Sequence, residues 1–398
     1  MPIVSPPVVN SPVVNKVLMT TDTVGGVWHY ALQLAGSLHE HGVEVALATM
    51  GAPLSLQQRV AAEQIPSLRI FESLFKLEWM EQPWDDLRQA GQWLLELEET
   101  LSPDIVHLNG YVHGALPWKS PLLVVGHSCV LSWWEAVRGE TAPADWTRYK
   151  EEVASGLQAA DIVVAPTRAM LNSLAAHYGP FKRSRVIYNG RAAEAFTPGI
   201  KEPFVLSAGR LWDEAKNVRT LSDVASTLSW PVYVAGEERH PSFDNGTDSG
   251  PDSGPGNHAR MRGVQTLGYL HEAQLAGWLE RASIYALPAR YEPFGLSALE
   301  AALAGCALVL GDIPSLREVW GDTALYVGPD DSSALQSTLE EFISDPLKRE
   351  EYSRRAQRRA ALYTPERTAQ RYLKVYNDLR GAGEMRAGET RRVHSCAS

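Results

Sequence analysis

Cysteine is scarce. The 398-residue chain has three, Cys129, Cys306 and Cys396, scattered and odd in number, with no metal-ligand spacing and no disulfide framework, which fits a reducing compartment. Long apolar runs are missing too, since none approaches the ~20 residues that span a bilayer. The opening MPIVSPPVVNSPVVN lacks the basic start and continuous apolar stretch of a secretion signal, and its prolines oppose a helix. A soluble cytoplasmic protein with a flexible N-terminus over 1–15 is expected. Positive charge is in deficit, 37 Lys and Arg against 47 Asp and Glu for a formal net charge of -10. That balance argues against a general nucleic-acid binder or a broadly basic membrane-surface protein. Any anionic ligand must be met by local cations.

What is present is a chain long enough for two domains, 44% hydrophobic, with short apolar runs alternating with helical patterns. VLMTT, VEVALATMG, DIVHLNG, LLVVGHS, DIVVAPT and RVIYNG come first; FVLSAG, PVYVAG, VQTLGYL, SIYALPA, ALVLG and ALYVG follow. Buried runs separated by helices mean parallel strands with crossover helices. The pattern restarts after FTPGIKEP, so the fold class expected is α/β, two Rossmann-like doubly wound domains facing across a cleft. The expected limits are 16–198 for the first domain and 199–364 for the second. A helix over 365–380 and a polar, flexible tail over 381–398 complete the chain. Between 237 and 262 the composition falls to Asp, Ser, Gly, Pro and Asn, read as a surface loop or, alternatively, a lid.

The stretch RYEPFGLSALEAALAG, 290–305, carries the strongest signal. Glu292 precedes Pro293, which disfavours helical geometry before it and suits a first turn, so a helix is expected from Pro293 or Phe294. Gly295, Leu296 and Ser297 then offer backbone N–H groups at a positive helix end, beyond the C-terminal end of a parallel strand, where anions bind. Glu300 sits among Leu, Ala and Ser, where an unpaired carboxylate is costly to bury. It either faces water or binds something, such as the paired hydroxyls of a ribose.

SAGRLWDEAKN places Arg210 and Lys216 just after the first strand of the same half, where two cations would neutralise a diphosphate. TTDTVGGVWHY runs strand, Gly25, Gly26, helix, a phosphate-type turn with too few glycines for a dinucleotide fingerprint. His107 and His127 each end a buried run and either face the crevice or pack with a satisfied ring. Of twelve tryptophans, eight precede the break; Trp133 and Trp134, beside His127, could stack a sugar or an apolar acceptor, and Asn109 joins His107 as a candidate acceptor contact.

Together GGVWHYALQLAGSLHEHGVEV, ADIVVAPTRAML, VIYNG with its following FTP, LSAGRL with a later lysine, and YEPFGLSALEAALAGCALV resemble the family 4 retaining glycosyltransferases of the GT-B fold, from about Lys16 to about Leu379. The resemblance implies a hexose moved from a nucleotide-diphosphate sugar, UDP-linked or as GDP-mannose, to a polysaccharide, glycolipid or small-molecule acceptor. It implies no cofactor and no metal. Arg210 and Lys216 would hold the diphosphate and Glu300 the ribose. Glu292, with the backbone of Phe294 to Ser297, would hold the transferred sugar, and Leu270 would lie near the base. Gly25 and Gly26 would approach the phosphates or acceptor, and His127 the sugar; Glu292, His127, Arg210 and Lys216 are thus the catalytic candidates. Lys216 follows Arg210 by one residue more than usual, and Asn217 replaces the common glycine. A nucleotide-sugar epimerase and a non-catalytic nucleotide-sugar-binding homologue are the competing functions. A monomer or weak homodimer is expected, with peripheral membrane contact conceivable through Phe181, Lys182, Arg183 and Arg185.

Overall fold

The computed structural model describes residues 14–237 and 263–395. The candidate lid lies outside these residues from position 238 onward, as do 1–13 and Cys396. In the first domain seven strands, β1 (Lys16–Asp22), β2 (Glu44–Met50), β3 (Leu68–Glu72), β4 (Ile105–Leu108), β5 (Leu122–Val125), β6 (Ile162–Ala165) and β7 (Ser184–Val186), form one sheet in the order β3-β2-β1-β4-β5-β6-β7. The second domain orders β8 (Glu202–Ala208), β9 (Val232–Ala235), β10 (Val264–Thr266), β11 (Ala282–Leu287), β12 (Ala307–Gly311) and β13 (Leu325–Val327) as β10-β9-β8-β11-β12-β13. The pairings are parallel throughout. Helices cover both faces, which is why β4, β5, β6 and β11 are buried at every position and read as continuous apolar runs.

One strand has no counterpart in the apolar runs of the sequence. β3, LRIFE, lies at the sheet edge with no fully buried residue, so Arg69 and Glu72 break the pattern that marks its neighbours.

Strand order fixes where ligands can sit. It reverses between β1 and β4 in one sheet and between β8 and β11 in the other, and at such switch points the loops beyond the strand ends diverge and open a crevice. The GlyGly turn leaves β1, Asn109 follows β4, Arg210 follows β8 and Glu292 follows β11. The topology therefore brings four distant stretches of chain to one cleft.

The last helix, Pro365–Ser395, is a correction at the tail, because helix continues past residue 380, the expected end. Beyond Gly381 the apolar periodicity ceases, yet Ala, Glu, Met and Arg are strong helix formers. Before that point the helix packs on the first domain: Ala369, Tyr372, Val375, Tyr376 and Leu379 join the core formed by Val17, Met19, Ala31 and Leu47. Burying a large apolar side chain contributes about 1.5–3 kcal/mol, so these residues anchor the helix to a domain remote in sequence. Its start meets the interdomain linker, where Arg191 N–H donates to Tyr363 O at 3.0 Å and Thr368 Oγ1 to Tyr188 O at 2.9 Å. Gly190 has to be glycine here, since a Cβ would lie 2.3 Å from the Thr364 carbonyl.

Candidate active site

Glu300 lies on the helix Leu296–Leu303, which begins later than the sequence indicates because Gly295 takes the left-handed conformation, φ 88°. Glu292 Oε1 accepts the N–H of Gly295 at 3.0 Å and of Phe294 at 3.4 Å, holding the segment before the first turn. Its Oε2 accepts from Lys216 Nζ at 2.6 Å, so the first glutamate and the lysine are directly paired. Leu296 and Ser297 form the first turn of the helix. Leu270, half-buried against the second domain's core, precedes the helix Glu272–Arg281.

The second glutamate is not an exposed helix carboxylate. Glu300 is 7% exposed, and its Oε1 accepts from Arg191 Nε at 2.7 Å, while Arg191 Nη2 donates to Glu272 at 2.7 Å. Burial pushes the Glu300 carboxyl up, and Arg191 opposes that shift. Arg191 carries no signal in the sequence: it is one cation in a linker, and only the fold places it 109 positions from its partner.

Arg210 Nη2 donates to Asp213 Oδ2 at 2.8 Å, and its guanidinium lies 5.1 Å from the Trp212 ring centroid. Burial opposes ionisation of Asp213, but Arg210 and Lys216 outweigh it and hold the carboxyl below its usual range. Asn217, in the position where glycine is common, adopts the left-handed conformation that glycine would supply, φ 55°. Its Nδ2 donates to Pro288 O at 2.9 Å. The longer Arg–Lys spacing is taken up by a 3-10 turn, Glu214–Lys216.

The first domain supplies the opposite wall. Gly25 has φ 98°, and a Cβ there would stand 4.0 Å from Arg210 Nη1; one on Gly26 would stand 3.8 Å from Leu296. The glycine turn thus faces both the cation and the helix start. Behind it Asp22, missed in the sequence, accepts from Val24 N–H at 3.1 Å. Burial raises its carboxyl to about 7, against the opposing hydrogen bond and Arg210. A carboxyl raised from 3.8 to about 7 on folding stabilises the fold fully below the lower value and loses that contribution as pH climbs to the higher. Asp22→Asn is therefore expected to flatten the dependence of the melting temperature on pH between 4 and 7, checked by thermal denaturation across that range.

His127 lies two residues beyond β5, with Nε2 2.8 Å from Asn109 Oδ1 and its ring 4.5 Å from that of Tyr30. His107 requires a correction. It lies inside β4 between Met19 of β1 and Leu123 of β5, is 0% exposed, and meets Tyr376 OH at 2.6 Å through Nδ1. A ring enclosed by the sheet and the last helix cannot contact an acceptor. Trp133 and Trp134 are half-buried and meet edge to face; the Trp133 indole N–H donates across the cleft to Asp213 Oδ1 at 3.0 Å. That bond joins other bridges between the domains: Thr167 Oγ1 donates to Pro293 O at 2.9 Å, Cys129 N–H to Tyr291 OH at 3.1 Å, and the N–H groups of Arg168 and Ala169 to the Glu318 carboxylate at 2.7 and 2.9 Å. Phe181 is half-buried and packs partly on the first domain's core.

Two family models divide the chain at the same place as the fold. Glycosyltransferase Family 4 matches residues 24–194, and Glycosyl transferases group 1 matches 202–345. The chain belongs to these glycosyltransferases. A D-inositol 3-phosphate glycosyltransferase from Gordonia bronchialis is 24% identical over 90% of this chain and 84% of its own length. A glycogen synthase from Mycobacterium tuberculosis is 36% identical over 104 residues, 26% of this chain and 25% of that protein; the match thus spans about a quarter of that relative. Among solved structures, sucrose-phosphate synthase from Thermosynechococcus elongatus superposes with a TM-score of 0.75 at 19% identity, covering 92% of this chain and 100% of that one. Anabaena Alr3699/HepE in complex with UDP and glucose gives 0.70 at 17%, covering 92% and 100%. The two-domain arrangement is thus the GT-B fold. Among the described residues no helix is long and apolar enough to cross a membrane.

Proposed function

We propose that this protein transfers a hexose from a nucleotide-diphosphate sugar to a hydroxyl acceptor with retention of configuration. The observation that carries this is the convergence at two strand switch points of a buried carboxylate, Glu300, two cations, Arg210 and Lys216, and a glycine turn from the opposite domain. Each matches one part of such a donor: a carboxylate accepts from ribose hydroxyls, paired cations offset a diphosphate, and glycine lets phosphate approach the backbone.

A UDP-linked donor is favoured over GDP-mannose, supported by the likeness to a protein solved with UDP-glucose. The acceptor would enter from the first domain's side, past Trp134. In the loose, oxocarbenium-like state of glycosyl transfer, charge develops on the departing diphosphate, and Arg210 and Lys216 stabilise it there. Glu292 is better suited to positioning than to nucleophilic attack, because Oε1 already accepts two N–H groups and Oε2 a lysine. Front-face attack, with the leaving phosphate taking the acceptor's proton, follows. Since the two cations supply the neutralising charge, activity is expected to persist in EDTA; its abolition would contradict a metal-independent reaction.

The donor reading is tested by thermal shift with UDP, GDP and ADP and their hexose conjugates on wild type and Glu300→Ala. A ligand at a hundred times its Kd adds about 2.7 kcal/mol, so one nucleotide series should raise the wild-type melting temperature and leave the variant's unchanged. If no series shifts the wild type, the donor site is lost from the proposal. Hydrolysis or isomerisation of the bound donor without any acceptor would instead favour an epimerase.

A further inference from the structure

We infer that a hydrogen-bond relay from Thr20 through Asn109 fixes His127 as its Nε2–H tautomer, so that His127 presents a bare Nδ1 as an acceptor to a hydroxyl of the transferred sugar. The sugar contact rests on the function proposed above; the relay does not.

The orientation of one amide decides the rest. Asn109 Nδ2 lies 2.7 Å from the carbonyl oxygen of Thr20, which can only accept, so the amide nitrogen must point there and Oδ1 must point the other way. Asn109 N–H also donates to Thr20 Oγ1 at 2.9 Å, which holds the residue in place. Oδ1 then faces two imidazole nitrogens, His127 Nε2 at 2.8 Å and His107 Nε2 at 3.2 Å. A carbonyl oxygen has no proton to give, so both nitrogens carry one. Burial depresses both rings to about 3, so near neutral pH each imidazole holds a single proton and its Nδ1 is a lone pair. For His107 that lone pair accepts from Tyr376 OH at 2.6 Å. For His127, Nδ1 has no hydrogen-bond partner among the described residues, and it is not among their buried unpaired polar atoms. His127 is half-buried just beyond the end of β5, and Tyr30, 4.5 Å away in edge geometry, limits the ring's rotation.

The same Asn109 oxygen gives His107 its Nε2–H tautomer, and the His107 Nδ1 meets Tyr376 OH. Asn109 is a positioning residue: it selects which hydrogen-bond partner His127 can take. A hydroxyl pointing a proton at Nδ1 is accepted, whereas an acceptor atom placed there meets a lone pair and is rejected.

Long-range ¹H–¹⁵N correlation on the full-length protein labelled at histidine tests this, with His127 assigned by its loss in His127→Gln and His107 by its response to Tyr376→Phe. The expected spectrum at pH 7 has protonated Nε2 and bare Nδ1 on both rings. A δ1-protonated tautomer or an imidazolium at His127 overturns the proposal, whatever happens with donors. When a nucleotide sugar that raises the melting temperature is added, the His127 Nδ1 resonance should move upfield as it accepts a hydrogen bond. An unmoved resonance with such a donor overturns the sugar contact, whereas failure of every donor to raise the melting temperature counts against the function itself. In Asn109→Ala the relay is cut, and the spectrum should show mixed tautomers at His127 with a fall in kcat/KM of roughly tenfold, the size of one lost hydrogen bond. Wild-type tautomers at His127 in a folded Asn109→Ala protein would overturn Asn109's part.

Discussion

Alanine at Lys216 or at Arg210 is expected to lower turnover by about 10²- to 10³-fold in each case, the loss seen when a donor to a developing anion is removed. Steady-state kinetics with the nucleotide sugar that passes the thermal-shift test gives the number. Without substrate neither cation is idle, since Lys216 neutralises Glu292 at 2.6 Å and Arg210 pairs with Asp213 at 2.8 Å. On the proposed function a diphosphate would meet cations already held in place, which limits the reorganisation needed at the moment of transfer. Lys216 and Glu292 have side chains only 14% and 13% exposed, so Lys216→Ala also strands a carboxylate, and its melting temperature must be measured beside its rate. The role assigned here requires kcat to fall by more than donor affinity does. Full activity in either variant would remove that residue from the phosphate site, and a loss confined to KM would reduce its part to ground-state binding.

The second large effect is on stability. The Arg191 and Glu300 side chains are each 9% exposed and 2.7 Å apart, and removing one partner of a buried pair costs about 3–5 kcal/mol because the other charge is left uncompensated. Arg191→Met should therefore lower the melting temperature by roughly 6–20 °C if the affected domain responds as one of 150–250 residues does. The sign of its pH dependence identifies the cause. Burial already raises the Glu300 carboxyl, and loss of Arg191 raises it further. A group raised on folding stabilises below its unfolded value and loses that contribution as pH rises through its folded one. The deficit of Arg191→Met should accordingly be larger at pH 8 than at pH 5. It should also shrink when Glu300→Gln is added, because the amide carries no charge to strand. Equal deficits at both pH values, with no recovery in the double variant, would mean that Arg191 acts by packing, for which its guanidinium 5.1 Å from the Phe196 ring centroid offers a route.

The pair also bears on ligand binding. Glu300 meets Arg191 through Oε1 and Nε, and Arg191 belongs to the linker that joins the domains and contacts the start of the last helix through Tyr363. A ribose that draws on this carboxylate would thus act next to the segment about which the domains are connected.

The two α/β halves, the break between them and the unusual composition of the RYEPFGLSALEAALAG segment were legible in the sequence. Those features rest on local physics: apolar runs too continuous for one-sided strands, Pro293 excluding helix before it, and a carboxylate among alanines and leucines. The sequence also showed that cations follow β8, because strand end and charge are adjacent in the chain. Only tertiary structure decided what each charge meets. Glu300 is paired by Arg191 from the linker, and Trp133 reaches Asp213 from the other domain. His107, equivalent to His127 in sequence pattern, is sealed between β1 and β5 beneath Tyr376, 269 positions away. β3 escaped notice because an edge strand need not be apolar on both faces, and the last helix outran its apolar period because helix propensity needs no buried face. Burial and charge pairing depend on which distant segments the strand order brings together, and no local pattern encodes that.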